Sequence, residues 1–498
     1  MNKILLNTSI LYIKIMLTLA ISFISIPIVL AALGAEDYGL YALVAGVVSM
    51  LAFLNTSMTV STQRFFSVTM GSGDVDKVTK VFGCSVYLHL LIGVIVCLLF
   101  ELVSIFAFDG FLNIPAERIE VAKLIYQFLV LSVFFTVISV PYDAALNAHE
   151  NMLVFSIISI SSAIFRLILA VSLLYVNIDK LIVYGLGLAC IALIEVVLKR
   201  MYVSKFYVEM KPLSIRQLDK SLFKEMFIFA AWNTFGTFSG VCRNQGLAIV
   251  LNLFFGTVVN AAYGVANQVN GVLLNFSGSL QKAVNPQLMQ QEGANQREKM
   301  LQLSFLSIKL SVSIFALMAI PLAIEMDVIL NWWLKKVPEY TIVFCQLILL
   351  VNLITQMSVG IMAAVQAAGR ISWYQFVMGI IWFLNLPIGY LFLRLSYPPY
   401  IVFIIMCVME IIALSVRLCF GYVLVKFPVW LFFKTLLFPL SIIMLIAALV
   451  GLEIHNFIDE DLLRVIMVTF IADVIMIFGV YVFVLSKDER KIFLTKND

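Results

Sequence analysis

The sequence predicts an all-α polytopic membrane protein of about fourteen transmembrane helices, arranged as two duplicated six-helix halves followed by two further helices. Three observations carry this. The chain has 498 residues, 62% hydrophobic and only 12% charged, with a mean hydropathy of +1.05. A soluble domain carries about 25% charge, and no water-soluble core at this length hides so much apolar surface. Lipid is therefore the solvent, which excludes a soluble enzyme, a nucleic-acid binder and a disordered chain. The second observation is that apolar runs of membrane-spanning length alternate with short polar breaks. The third is an internal repeat.

The expected spans lie near 9–33, 38–66, 80–107, 120–146, 152–176, 180–200, 225–254, 258–285, 300–323, 340–368, 372–393, 400–424, 430–451 and 463–486. Ungapped helices are expected, because lipid cannot satisfy bare backbone groups. Organisation follows: an N-terminal lobe over 1–200, a linker over 201–224, a C-terminal lobe over 225–424, and two appended spans with a tail over 430–498. The N-terminus does not read as a cleavable signal, since its apolar stretch is long, contains Lys14 and lacks a small-residue cleavage site.

Orientation comes from the basic residues. With the N-terminus in the cytoplasm, eighteen Lys and Arg fall inside and seven outside. The inner set contains the run Lys199, Arg200, Lys205, Lys211, Arg216, Lys220, Lys224, and the tail residues Lys487, Arg490, Lys491 and Lys496. The outer set includes Arg118, Lys335 and Arg464. Both termini are expected inside.

The repeat pairs Pro141–Ala148 at the end of span four with Gly360–Ala367 at the end of span ten. It also pairs Gly34, after span one, with Gly256, after span seven. Halves six spans apart keep one orientation. Parallel repeats of this kind are a common architecture of secondary transporters.

No phosphate-cradling loop, HExxH pattern or CxxC pair is present, so no cofactor or metal is expected, and the seven cysteines suggest no disulfide framework. Span eight is the informative one. Gly264, Asn267, Gly271, Asn275, Gly278, Lys282 and Asn285 recur every three or four residues, a polar stripe opposite Val269, Leu273 and Leu280. Two readings stay open: a tight helix seam of small and amide residues, or the wall of a water-filled cavity. The seam explains the glycines but not Lys282. Span seven repeats the pattern weakly with Asn233, Thr237, Gly240 and Asn244, and its Gly236–Gly240 pair reads as packing.

Thirteen ionisable residues fall within the spans. They are Lys14, Arg64, Arg166, Arg243, Lys282, Lys309, Arg417 and Lys434, against Glu101, Asp143, Glu195, Glu410 and Asp473. Each costs at least about 2.5–3.5 kcal/mol at the bilayer centre. Lys434, Lys14, Glu195 and Asp143 lie close enough to an expected cytoplasmic end to snorkel. Arg166, Arg243, Glu410 and Asp473 lie deeper, where structural ion pairing and substrate contact are equal alternatives. The excess of cations suits an anionic head group, which Arg takes bidentately and Lys as a point charge.

The stretch Leu253-Phe254-Phe255-Gly256 through Asn260-Ala261-Ala262, Gly264, Ala266 and Gln268 to Asn285-Pro286-Gln287 resembles a signature of bacterial polysaccharide-biosynthesis membrane proteins, the Wzx-type flippases. Pro321–Glu325 with Trp333, Val337-Pro338 and Tyr340, and Pro141 through Glu150, resemble further parts of that family. The resemblance implies two six-helix lobes around a central cavity, in the multidrug/oligosaccharidyl-lipid/polysaccharide superfamily. It implies movement of an undecaprenyl-diphosphate-linked oligosaccharide across a bacterial inner membrane. A polysaccharide polymerase and glycosyltransferases would be its pathway partners. The related lipid II flippase uses basic residues in spans one, two and eight, which by position are Lys14, Arg64 and Lys282 here, with Lys in span one where Arg is expected. Arg243 and Arg166 join the expected diphosphate site, and Asn244, Asn267, Asn275 and Asn285 the cavity lining. Glu410, Asp473, Glu101 and Asp143 are the candidates for coupling to protons or sodium. The alternative is a cation-coupled multidrug exporter, whose substrates call for an acidic cavity; a membrane enzyme would need a catalytic acid constellation or an extramembrane domain.

Overall fold

A computed structural model describes residues 2–49, 52–106, 108, 114–211, 213–334, 336–486 and 489–490. Lys335, Lys487, Lys491 and Lys496, used above for topology, lie outside the described residues. Among the described residues there is no strand. Eleven helices of the described residues are long and apolar enough to cross a membrane, or twelve if one bent pair counts as a span.

The chain divides into two compact units, Leu5–Thr234 and Met1–Ile4 with Phe235–Asp498. The first holds most of α1 (Asn2–Ser49), then α2 (Ala52–Gly71), α3 (Val75–Phe106), α4 (Ile119–Ala148), α5 (Met152–Ser172) and α6 (Lys180–Phe206). α4 is its hub, packing on α2, α3, α5 and α6. Asp179 caps α6 by accepting from the Leu181 and Ile182 N–H groups at 3.0 and 3.3 Å. Its second oxygen takes Arg118, which also holds Asp37 beyond the bend in α1.

The boundary between the units falls inside α7 (Lys220–Gly293). The second unit continues with α8 (Arg297–Ile324), α9 (Met326–Trp333), α10 (Thr341–Gln356), α11 (Val359–Ala368), α12 (Ser372–Arg394) and α13 (Ile401–Val425). α14 (Val429–Phe432), α15 (Phe438–Phe457) and α16 (Asp461–Gly479) complete it. Here α8 is the hub, touching α10, α11, α15 and α16. The two spans appended to the repeat thus pack on α8, and Glu325 at its end accepts from Arg464 at 3.0 Å.

Three differences from the sequence expectation have physical causes. The span expected over 38–66 falls across the end of α1 and the start of α2, and α2 carries too many polar residues, from Asn55 to Thr69, to qualify on composition. The spans expected over 225–254 and 258–285 fall in one helix, α7, whose 74 residues are interrupted at Gly256 (φ 75°, ψ −165°). At about 1.5 Å per residue so long a helix far exceeds a bilayer, so the glycine is where it divides. Gly34, its repeat partner, breaks α1 in the same way (φ 80°, ψ 167°). These backbone values suit a residue without Cβ.

The tenth span is not ungapped. α10 and α11 meet at a bend of 43°. Protein replaces the missing helical bonds: the Ser358 N–H donates to Thr355 O at 3.0 Å, and Arg417 Nη1 donates to Ser358 Oγ at 3.0 Å. Both side chains are fully buried. A broken helix is tolerated at membrane depth only when enclosed in this way.

In lipid, helices gain little from burying apolar surface, and close van der Waals fit takes over. A Cβ at Gly360 would stand 2.1 Å from the Ser304 carbonyl oxygen of α8. Backbone cannot yield as a side chain does. Gly360→Ala is expected to cost about 1–3 kcal/mol by overpacking, read as a melting temperature several degrees lower in detergent; an unchanged melting curve would contradict the α8–α11 fit.

Candidate functional site: a cationic pocket in the N-terminal unit

Hydroxyl-bearing positions recur along α1 at Thr18, Ser22 and Ser25, and along α5 at Ser159 and Ser162, followed by Arg166. Helical spacing puts each set on one face. With Tyr184 and Glu195 of α6 and Lys14 of α1 they line a cavity of about 440 Å³. That volume falls in the range of small-molecule sites, about 300–1,000 Å³. Several hydroxyls spend their proton locally: Thr18 on Lys14 O at 2.9 Å, Ser25 on Ile21 O at 2.7 Å, Ser159 on Phe155 O at 2.9 Å. Their oxygens remain as acceptors within apolar spans.

The charges beside this cavity are unequally bound. Lys199 Nζ lies 2.7 Å from Glu195 Oε1 and 2.8 Å from Asp143 Oδ1, with its side chain 4% exposed. Ser162 donates to Glu195 at 2.9 Å and Ser139 to Asp143 at 2.8 Å. Lys199, assigned above to the inner basic run, is therefore a buried member of α6 that binds two carboxylates. Hydropathy could not place it, although its position four residues after Glu195 on a helix was a usable signal. Glu195 and Asp143 do not snorkel; they face this lysine. Lys14 and Arg166 make no ion pair among the described residues. Lys14 lies over the Phe155 ring at 5.3 Å, and Arg166 is exposed into the cavity. Three cations stand against two carboxylates, a net positive charge at membrane depth.

Arg64 lies elsewhere in this unit, stacked on Phe65 at 4.7 Å and Phe229 at 5.3 Å. Asn233 donates to Ser57 O at 2.9 Å and Ser61 Oγ at 3.1 Å, joining the start of α7 to α2. Glu101 is exposed on α3 and accepts from Gln127 at 3.2 Å.

In the second unit, two residues assigned above to different tasks meet. Glu410 receives Arg417 at 2.6 Å and Arg243 at 3.6 Å, and is 2% exposed. Arg417 follows Glu410 by seven residues, two turns on one face, so that pairing was readable; the approach of Arg243 from α7 was not. Arg243 also lies over Trp382 at 5.6 Å. Asn244 accepts from Tyr263 through its backbone oxygen at 2.9 Å, and Asn267 donates to Tyr263 O at 3.0 Å. Asp473 of α16 has one buried oxygen without a hydrogen-bond partner among the described residues.

The stripe of span eight forms the second half of α7. A Cβ at Gly264, Gly271 or Gly278 would meet nothing within 4 Å, whereas one at Gly236 would strike Gln375 at 2.1 Å. The stripe glycines thus border open space, and Gly236 packs. Asn275 is exposed, Lys282 and Asn285 half-buried, while Leu273 and Leu280 on the opposite side are buried.

The helical architecture and polar intramembrane pocket define a multi-pass membrane protein with the fold of MATE-type transporters. It is similar to a MATE protein crystallised in a bent conformation, at 15% identity and a TM-score of 0.69, covering 84% of this chain and 95% of that one. It is also similar to an outward-facing multidrug resistance MATE family transporter of the MOP superfamily, at 14% and 0.68 over 84% and 95% of the two chains. A MOP superfamily transporter from Pyrococcus furiosus, whose binding pocket is described as reversed in polarity, matches at 15% and 0.66 over 84% and 95%. Residues 4–291, more than half of the chain, match the model of the polysaccharide biosynthesis protein family. The chain belongs to that family. No curated protein matches the sequence.

Proposed function

We propose that the protein is a flippase for an undecaprenyl-diphosphate-linked oligosaccharide, moving it by alternating access from the inner to the outer leaflet of a bacterial cytoplasmic membrane during cell-surface polysaccharide synthesis. The observation that carries this reading is the cavity lined by Lys14 and Arg166, neither of which forms an ion pair among the described residues. A diphosphate satisfies both, since Arg offers a bidentate fork and Lys a point charge. The hydroxyl-lined wall suits sugar, and the polyprenyl tail needs no site because it stays in lipid. Coupling to protons or sodium would engage a membrane carboxylate; Asp143, which shares Lys199 with the cavity-lining Glu195, is the candidate within this unit.

A multidrug exporter with cationic substrates is the competing reading, and the cationic cavity disfavours it by like-charge repulsion. Reconstituted protein is expected to expose labelled lipid-linked oligosaccharide to an impermeant lectin on the opposite side of a proteoliposome, leaving the lipid chemically unchanged. Failure to move it, together with raised tolerance of cells to cationic drugs, would favour the exporter. Growth of the sugar chain would favour an enzyme.

A further inference from the structure

A second cavity, about 650 Å³, lies in the C-terminal unit between α8, the helices appended to the repeat and the segment after them. Two π-helical segments border it, Phe433–Leu437 and Val480–Val484. Such bulges displace side chains from the regular ladder and recur at functional sites. The first carries Lys434 into the cavity, where it is exposed and has no partner among the described residues.

Lys309 of α8 also lines the cavity, with a side chain only 8% exposed. Its ammonium donates to both oxygens of Glu489, at 3.1 and 2.8 Å. The Ser486 N–H donates to the same carboxylate at 2.6 Å. Burial pushes the Glu489 carboxyl up, but these donors outweigh it and hold it below its usual range. An ammonium and a backbone N–H converging on two oxygens form an anion seat, here filled by a carboxylate of the same chain. A phosphate oxygen has the same requirements.

The surroundings indicate what such an anion would be attached to. Leu431 is 46% exposed, Phe483 66% and Trp430 78%, all on segments beside the cavity. On a membrane protein these surfaces meet lipid chains, so a ligand entering here carries chains of its own. Exposed Glu298 also lines the cavity and disfavours a multiply charged free anion.

We propose that this cavity binds the phosphate head group of an anionic membrane phospholipid, through Lys434 and through the Lys309 seat that Glu489 otherwise fills. The Glu489 carboxylate and the lipid phosphate then compete, which ties the end of the last span to the composition of the membrane. The site is separate from the pocket of the N-terminal unit and does not depend on the flippase reading.

The test uses the purified full-length protein in detergent with added phosphatidylglycerol, phosphatidylcholine or inorganic phosphate, read by melting temperature and by lipid retention in native mass spectrometry. Phosphatidylglycerol is expected to raise the melting temperature by several degrees, and the other two are not. Lys434→Ala should remove most of that shift. Glu489→Gln, which frees the seat, should raise phosphatidylglycerol retention several-fold. The double variant Lys309→Met with Glu489→Gln strands no charge and should fold, yet retain less lipid than Glu489→Gln alone. Equal shifts from phosphate and lipid, full retention by Lys434→Ala, or no gain in Glu489→Gln would overturn the proposal.

Discussion

Replacing Lys14 and Arg166 together by alanine is expected to abolish transport while leaving the protein as abundant in the membrane as the wild type. The two outcomes are expected to separate because neither Lys14 nor Arg166 forms an ion pair among the described residues, while Asp143 and Glu195 are held by Lys199 at 2.8 and 2.7 Å. What is lost is the pair of charges facing the cavity. A hydrogen bond to an ionised group contributes about 1.5–3 kcal/mol, so two lost contacts to a diphosphate amount to at least about 3 kcal/mol. At about 1.4 kcal/mol per factor of ten, transport falls a hundredfold or more. Arg166→Lys keeps the charge but not the fork, and is expected to fall between wild type and the double variant. Sugar exposure in proteoliposomes measures transport, and immunoblotting of membranes measures abundance. Wild-type transport by the double variant would remove the cavity from the mechanism.

Lys199→Met is expected to act in the opposite manner, through folding. Its side chain is 4% exposed between two carboxylates. Removing one partner of a buried ion pair costs about 3–5 kcal/mol because the remaining charge is left unsatisfied. That is a large share of a typical stability margin of about 5–15 kcal/mol. The variant should give little monodisperse protein in size-exclusion chromatography and a clearly lower melting temperature. Adding Asp143→Asn and Glu195→Gln removes the stranded charges, and abundance should recover. A Lys199→Met protein as stable as wild type would mean that this triad does not hold α4 to α6.

The two lysines show how far sequence reading reached. Lys14 stood alone within a long apolar run, and a solitary cation there is visible to any hydropathy argument. Lys199 stood at the edge of a basic run, where the same argument counts it as a loop residue. The tenth span looked continuous because Ser358 and Gly360 are individually tolerated in helices. The buried guanidinium of Arg417 and the backbone of α8 are what make a bend there stable. Lys309 and Glu489 are 180 residues apart, and no local pattern links them.

On α7, periodicity defined the stripe, since Gly264 through Asn285 repeat every three or four residues. Periodicity defined the face, yet it could not say whether that face touched another helix or open space. Among the described residues, a Cβ added at Gly264, Gly271 or Gly278 would meet nothing within 4 Å beyond the helix itself.

By itself, then, the sequence determined the lipid solvent, the helical class, the duplicated breaks at Gly34 and Gly256, and which residues are charged where lipid disfavours charge. These depend on composition and on spacing along one chain. Only the tertiary structure decided which of those charges are neutralised and which remain available. That distinction rests on distances between helices remote in sequence: Lys199 is bound because α4 and α6 bring two carboxylates within 3 Å of it, whereas Lys14 and Arg166 line a cavity and form no ion pair among the described residues.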